Sequence, residues 1–368
     1  MTIPVAAPVR WFEQHRQEVA TALAGVVSGG QYILGPRVTE FEQLFAQFCA
    51  CPHAIAVASG TDAITLGLRV LEVAGKEVIT SAHTATATVA AIERAGATPV
   101  LADIDPVTHC LSAESVASLL SPRTRAIVPV HIFGHPADID GLRAVIGPRD
   151  IALVEDCAQA HGARIGDQPV GSLGLAGAFS FYPTKNIGAL GDAGAVVTHD
   201  DRLARQLRQL RQYGWDDMRC SQLHGQNSRM DEVQAAILAL RLADFRGAFR
   251  RRREIARRYD EALANHPEVL APVTAAGATH AFHLYVVQAR HRDALAADLR
   301  AQGIQTGRHY ATPMHRQPAY RAIARAKSLR NVERLYERML SVPIYPELTD
   351  HEVDRICEAL SRWRAGGK

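Results

Sequence analysis

From about residue 55 the chain alternates two textures. Short runs of β-branched and small apolar residues give way to longer stretches with apolar positions every three or four residues. The first texture predicts strands and the second amphipathic helices. AIAVAS predicts a strand ending at Ser59, and TDAITLGLRVLEVA predicts a helix starting near Thr61 on a Thr-Asp cap. The alternation continues through strands EVITS, TPVLADI, TRAIVPVHI and IALVED and helices TATATVAAIERAG, SAESVASLLS and DIDGLRAVIG. Strands GAFSFY and GAVVT then flank a loop that holds Lys185. Repeated βαβ units predict an α/β fold with a mainly parallel sheet covered by helices on both faces.

The texture changes beyond DEVQAAILALRLADF. A helical stretch runs to about Leu263. Then come a β-like AFHLYVVQA, a helix RDALAADLRAQG, a short strand IQTGRHY and two more helical stretches. This predicts a large α/β domain over 1–245 and a smaller α+β domain over 246–368.

Composition narrows the function classes. The 368 residues are 47% hydrophobic, enough for a large core, and the net charge of +3 is small and dispersed. That argues against a nucleic-acid partner. The one basic cluster, Arg246 to Arg258, reads as the solvated face of a long helix. Six cysteines form no Cys-x-x-Cys pair, and no signal peptide or apolar run of membrane-spanning length is visible. The expectation is a cytoplasmic protein with reduced thiols and no membrane contact. His131 and His135 bracket IFG just after a strand, so a helical metal pair is not expected and no metal is assigned.

Lysine supplies only four of the 41 Lys and Arg residues: Lys76, Lys185, Lys327 and Lys368. Lys185 follows an apolar run and precedes a glycine-rich turn, in SFYPTKNIGALGDAG. A desolvated amine can shed its proton and attack a carbonyl, which a guanidinium cannot do. Ligands of open α/β sheets bind at the carboxyl ends of strands, and three features fall there. In ASGTDA, Gly60 permits close backbone approach and the amides around Thr61 suit a phosphate at a helix start; the same residues also make an ordinary cap. In LVEDCAQ, Glu155 and Asp156 end an apolar strand where a buried carboxylate needs a partner, with Gln159 three residues on; a paired cap is the other reading. Ser180 and Lys185 complete the third. A phosphate cradle, a carboxylate, a hydrogen-bonding amide and an amine are together what pyridoxal 5'-phosphate requires.

These residues resemble the nucleotide-sugar aminotransferases related to DegT, DnrJ, EryC1 and StrS. The match runs from GQYILGPRVTEFE through SGTDA, EDCAQAHGA, SFYPTKNIGALGDAGAVVT and GQNSRMDEVQAAIL to VPIYPELTD. The resemblance implies the fold-type I architecture of pyridoxal-phosphate transferases and a homodimer with shared active sites. It makes Lys185 the Schiff-base lysine and Asp156 the partner of the pyridine nitrogen. Gln159 would contact the ring's phenolic oxygen, and Gly60, Thr61 and Ser180 would hold the phosphate. Asn227 would reach the neighbouring subunit's phosphate, and His83 would stack on the pyridine ring. Tyr32, His309, Tyr310 and His315 would line the sugar pocket. GDAG departs from the family's commoner Gly-Asp-Gly-Gly; Ala193 suits the position unless it requires positive φ.

The implied reaction is ping-pong. An amino acid, most often L-glutamate, gives its amino group to the cofactor, leaving pyridoxamine 5'-phosphate, and a nucleotide-linked ketosugar receives it. The segments around His83, GDAG, YGW and RHYATPMHRQPAY favour a 3-keto-6-deoxy sugar over a 4-ketosugar, in making amino sugars for a glycan or glycosylated natural product. A deoxygenating branch of the fold carries histidine at the lysine position. A catalytically silent regulatory paralogue would be expected to lose Lys185 or Asp156. Both are present.

Overall fold

A computed structural model describes residues 2–326 and 328–366, so Lys327 and Lys368 lie outside the described residues. Seven strands build the central sheet: β1 His53–Val57, β2 Glu77–Ser81, β3 Thr98–Ala102, β4 Thr124–Val128, β5 Ala152–Asp156, β6 Ala176–Ser180 and β7 Gly194–Thr198. Their order is β1-β7-β6-β5-β4-β2-β3, and a short strand Ala324–Arg325 adds itself in parallel to β3. All neighbours are parallel except β7, which runs antiparallel to both β1 and β6. The sheet is buried on both faces, which explains the near-continuous apolar strands.

The pleat sorts the side chains. Ile55 and Val57 of β1, with Ala178 and Val196, pack under the helices Gly60–Arg69 and Asp201–Leu210. Ala54 and Ala56, with Phe179, Ala195 and Val197, face the helices Pro36–Phe48 and Glu232–Leu263. This is the two-residue period of a strand read directly as two cores. Strand register also fixes the site. Val57 lies opposite Gly194, and Gly194 opposite Ser180, while Asp156 pairs with Ala178. The ends of β1, β5 and β6 and the start of β7 therefore share one edge.

A second sheet, Val269–Leu270, Tyr285–Ala289 and Met339–Val342, is antiparallel and carries its own apolar core with helices Arg292–Ala301 and Asp350–Arg362. Ile3 and Ala7 pack into that core from the other end of the chain. The helix Glu232–Leu263 runs 32 residues without a break through residue 245.

Several elements differ from expectation. IQTGRHY forms no continuous strand; Ile304 and Gly307 make isolated bridges to Ile3 and Ser341. The helix expected over 112–121 shrinks to Ala113–Ala117, started by the Ser112 side chain and stopped before Pro122. NSRMDE, which reads as the start of the long helix with Asn227 at its head, stays outside it: the Asn227 backbone bridges Gln212, and the helix begins only at Glu232. Glu232, at the first position of the helix, serves another one. Its buried carboxylate accepts the amides of Gly35, Arg37 and Val38 at 2.8–2.9 Å, capping the helix Pro36–Phe48 across the fold.

Candidate active site

The glycine at the end of β1 is there for contact. A Cβ built on Gly60 would stand 2.5 Å from the Ser180 Cβ, and one on Gly194 would stand 2.3 Å from the Ser59 carbonyl oxygen. Neither position admits a larger residue. Ser59 caps the following helix by accepting the Asp62 amide at 3.1 Å. Gly60, Thr61 and Ser180 stay partly exposed around this helix start. Ala193 keeps negative φ, so the change from glycine in GDAG costs the turn nothing. Asp62, just inside the helix, accepts from Ser228 at 2.8 Å and Gln226 at 3.2 Å. The segment that carries Asn227 is thus tied to its own chain's helix start, with Asn227 exposed.

One strand away, Asp156 is buried. Its Oδ2 accepts the Thr88 hydroxyl at 2.8 Å and its Oδ1 the Ala158 amide at 3.1 Å. Burial raises its pKa, against the pull of Thr88, Ala158 and the Lys185 charge. Glu155 is buried too, on the opposite side. It accepts from His131 Nε2 at 2.9 Å and from the amides of Gly171, Leu173 and Gly174 at 2.6–2.8 Å. Burial pushes its carboxyl up, but His131 and the amides outweigh that and hold it below the ordinary range. Ala137 donates its amide to His131 Nδ1, so the ring proton sits on Nε2, toward Glu155. His131, Glu155 and Cys157 come within 4.8 Å, yet both His131 nitrogens are already committed.

Lys185 rides a loop closed by its own backbone. Its amide donates to the Tyr182 carbonyl at 2.8 Å, and Ala189 donates back to Phe181 at 2.7 Å. Lys185 is half-buried, and desolvation of its amine lowers its pKa to about 8 although the Asp156 charge pulls it up. It opens on a cavity of about 400 Å³ shared with Gln159, His283, His309, Tyr310 and Arg252. The Phe133 amide donates to Gln159 Oε1 at 2.6 Å, and Gln159 Nε2 donates to the Tyr310 hydroxyl at 2.7 Å. His309 Nδ1 lies 2.9 Å from the Ser341 hydroxyl.

Other expected residues sit elsewhere. His83 is fully buried, edge-on to Phe133 and Tyr336 at ring distances of 5.1 and 5.3 Å, and its Nε2 has no partner among the described residues. Burial holds this histidine neutral, with a pKa of about 3. Tyr32 is 55% exposed, gives its hydroxyl to the Val27 carbonyl at 3.3 Å and does not line the cavity. His315 faces Glu333 at 3.3 Å and does not line it either. Conversely, the site also gathers Thr88, His283, Arg241 and Arg252, which no local motif marks. His283 lies inside what reads as a strand, AFHLYVVQA, and Thr88 inside a helix. The expectation of a solvated face over 246–258 holds for the exposed Arg253 and Arg257 and fails for Arg252, which is buried.

Comparison with known proteins gives one answer. The profile of the DegT/DnrJ/EryC1/StrS aminotransferase family matches residues 13–361. The chain is 42% identical over 354 residues to a dTDP-3-amino-3,4,6-trideoxy-alpha-D-glucose transaminase of Streptomyces venezuelae, covering 96% of this chain and 93% of that one. It is 38% identical to a UDP-N-acetyl-3-dehydro-alpha-D-glucosamine 3-aminotransferase of Acidithiobacillus ferrooxidans, covering 98% and 97%. Among solved structures, DesV of S. venezuelae in complex with a ketimine intermediate superposes with a TM-score of 0.95 at 41% identity, covering 98% of each chain.

Proposed function

Because the chain belongs to the DegT/DnrJ/EryC1/StrS aminotransferase family, we propose that this pyridoxal-phosphate-dependent sugar aminotransferase moves an amino group from L-glutamate to carbon 3 of a nucleotide-linked 3-keto-6-deoxy sugar. The observation that carries the reading is Lys185: a desolvated amine poised near pH 8 beside a cavity, one strand from a buried carboxylate. The position of amination draws its support from the relatives, whose names put the transferred nitrogen on carbon 3.

The residues fit the cofactor. Gly60 and Gly194 leave a cradle that a Cβ would fill, beside the Ser180 hydroxyl and the positive end of a helix. Gly60, Thr61 and Ser180 would hold the phosphate and Lys185 the aldehyde carbon, with Asp156 against the ring nitrogen and Gln159 at the phenolic oxygen. His83 offers a neutral ring with a spare nitrogen. Bound there, pyridoxal phosphate supplies a ring that withdraws electrons from the carbon losing its proton.

The chain's own groups do the rest. Asp156 would keep a proton on the ring nitrogen, because a buried carboxylate with two protein donors still has lone pairs to satisfy. Lys185 would be the nearby base for the proton on the reacting carbon. Its lowered pKa lets Nζ both take and return a proton near neutral pH. Tyr310 and Gln159 fix one another, so the amide presents a defined edge.

The partner copy enters through Asn227, which would act on the neighbouring subunit's phosphate in a homodimer. Incubating the holoenzyme with glutamate and matched 3-keto and 4-keto nucleotide sugars, with mass detection of the amino sugar, tests the substrate. Amination of the 4-ketosugar alone would overturn carbon 3. Mixing Lys185→Ala with Asn227→Ala subunits tests the shared site, since one heterodimer site regains both residues and activity should return.

A further inference from the structure

On the helix Glu232–Leu263, Arg246, Arg250 and Arg253 are exposed with no ion pair among the described residues, and the other arginines fall into two kinds. Arg251 pairs with Asp350 at 2.7 Å and Arg258 with the same carboxylate at 3.3 Å, near the surface. Arg241 and Arg252 have no carboxylate within ion-pair distance among the described residues; their hydrogen bonds go to carbonyl groups alone. They are eleven positions apart, three turns of helix, and with Ala248 they lie on one face, roughly 20° out of line. All three line the cavity that holds Lys185.

Two carboxylates act on these cations without pairing with them: Glu347 on both, and Asp244, outside the cavity lining, on Arg241. Arg252 is 6% exposed, and its Nη1 donates to the Phe282 and Ile344 carbonyls at 3.2 and 2.8 Å. Its Nε and Nη2 make no hydrogen bond to the described residues. Arg241 lies over the Trp11 ring at 4.4 Å and donates through Nε to the Gly188 carbonyl at 3.3 Å. Burial lowers both pKa values, that of Arg252 to about 10, so both stay charged at neutral pH. Glu347 is the one carboxylate lining the cavity among the described residues, and it raises both. One acid against two guanidinium groups leaves the wall positive. The histidines on the opposite wall, His283 and His309, are pushed toward neutrality by burial and then by the Lys185 charge. A buried cation without an anion is costly, and a guanidinium fork is shaped for a carboxylate.

Chemistry supplies the anion. An α-amino acid carries its amine and its α-carboxylate on one carbon. A cavity that brings the amine to the aldehyde carbon that Lys185 would hold must receive a carboxylate beside it, and a dicarboxylic donor brings a second. We propose that Arg252 and Arg241 form the wall that receives the donor's carboxylates and that they set a preference for an acidic over a neutral amino acid. The inference rests on the proposed glutamate donor. Arg252 then serves twice. Its Nη1 ties the helix to the two carbonyls, and the free edge of the fork faces the ligand.

The test separates the two half-reactions. Glutarate has both carboxylates and no amine, so it binds without reacting. Calorimetric titration of holoenzyme with glutarate should show about ten- to hundredfold weaker binding in Arg241→Met and Arg252→Met, the range for a hydrogen bond to a charged group. KM for glutamate should rise by a similar factor, that for alanine by less because alanine brings only the α-carboxylate, and KM for the nucleotide sugar least of the three. Arg252→Met also deletes two carbonyl bonds. If it is recovered unfolded, Arg241→Met decides, because those bonds remain. Unaltered glutarate and glutamate binding in Arg241→Met overturns the inference. So does a loss confined to the nucleotide sugar, which would make the wall a diphosphate site. Wild-type enzyme that uses only neutral amino acids would bring down the glutamate reading itself, a different result from wild-type use of glutamate with indifferent variants.

Discussion

Glu155 and Asp156 leave the same strand on opposite sides, one toward a sealed interior and one toward the lysine loop. Glu155 meets four donors: the His131 ring and three loop amides. Asp156 meets two, the Thr88 hydroxyl and the Ala158 amide, with the Lys185 charge nearby. The outcome shows in their acidity. Both feel burial, yet Glu155 ends below its ordinary value and Asp156 above. A carboxylate whose lone pairs are filled by the protein is a structural joint. One left short, in the same buried layer, is ready for a ligand's proton.

The comparison predicts that damage on the lysine side is chemical. Lys185→Ala should reduce transamination to background, the largest effect of any single change here. Its melting temperature should stay near wild type, since removing a desolvated amine relieves its burial cost rather than leaving a charge alone. Treating wild-type holoenzyme with borohydride should put the cofactor's mass on the peptide containing Lys185. Label on another residue would sink the assignment.

Asp156→Asn comes next. The amide is the same size and can keep the Thr88 contact, but it cannot hold a proton on the ring nitrogen. Turnover should fall by orders of magnitude while the fold survives. A variant that turned over like wild type would make Asp156 the same kind of joint as Glu155 and erase the contrast.

Glu155→Ala should do the reverse. It strands His131 and three amides, and breaking a buried pair of this kind costs about 3–5 kcal/mol. Activity per folded molecule should remain within a fewfold. The pH dependence has a definite sign. Glu155 is held below its ordinary value of 4.5, so its contribution is complete above that pH and is lost as pH falls through the folded value. The gap in melting temperature between wild type and variant should therefore narrow on acidification below 4.5. A gap that stays constant with pH would remove the electrostatic part of the account.

How much of this was legible in the sequence follows from distance along the chain. The βαβ rhythm, the Gly60 turn, the Asp156 strand end and the Lys185 loop are each local, so spacing and residue type announce them. Residue type and spacing alone did not tell Glu155 from Asp156, and only the family resemblance chose Asp156, because what distinguishes them is the loop at Gly171–Gly174 and the helix at Thr88, both brought in by tertiary folding. Arg252 hid inside RRRREIARR, where helical phase alone decides which arginine turns inward. Nor could spacing show that Glu232 caps the helix Pro36–Phe48, a contact nearly two hundred residues away in sequence.

The mildest change sharpens the contrast most, because it alters the Asp156 side without touching the carboxylate. Thr88 donates to Asp156 and, since its proton is spent there, accepts from the Thr84 hydroxyl at 2.7 Å. Thr88→Val keeps the shape and deletes that donor. Asp156 is then left with the Ala158 amide and the cofactor's own nitrogen. The Thr88 hydrogen bond lowers the Asp156 pKa, so its loss lets burial raise it further. Protonated Asp156 would persist to higher pH, and a protonated acid cannot accept the ring proton. The acid limb of the kcat/KM profile should move to higher pH, with a fall of severalfold at neutral pH and little change on the alkaline side. Thr88→Ser, which restores the hydroxyl and leaves a methyl-sized gap, should return the limb to its wild-type position. If Thr88→Val and wild type trace the same profile, the hydroxyl serves only the packing of its helix. Asp156 would then be held ionised against burial by the Ala158 amide and the Lys185 charge.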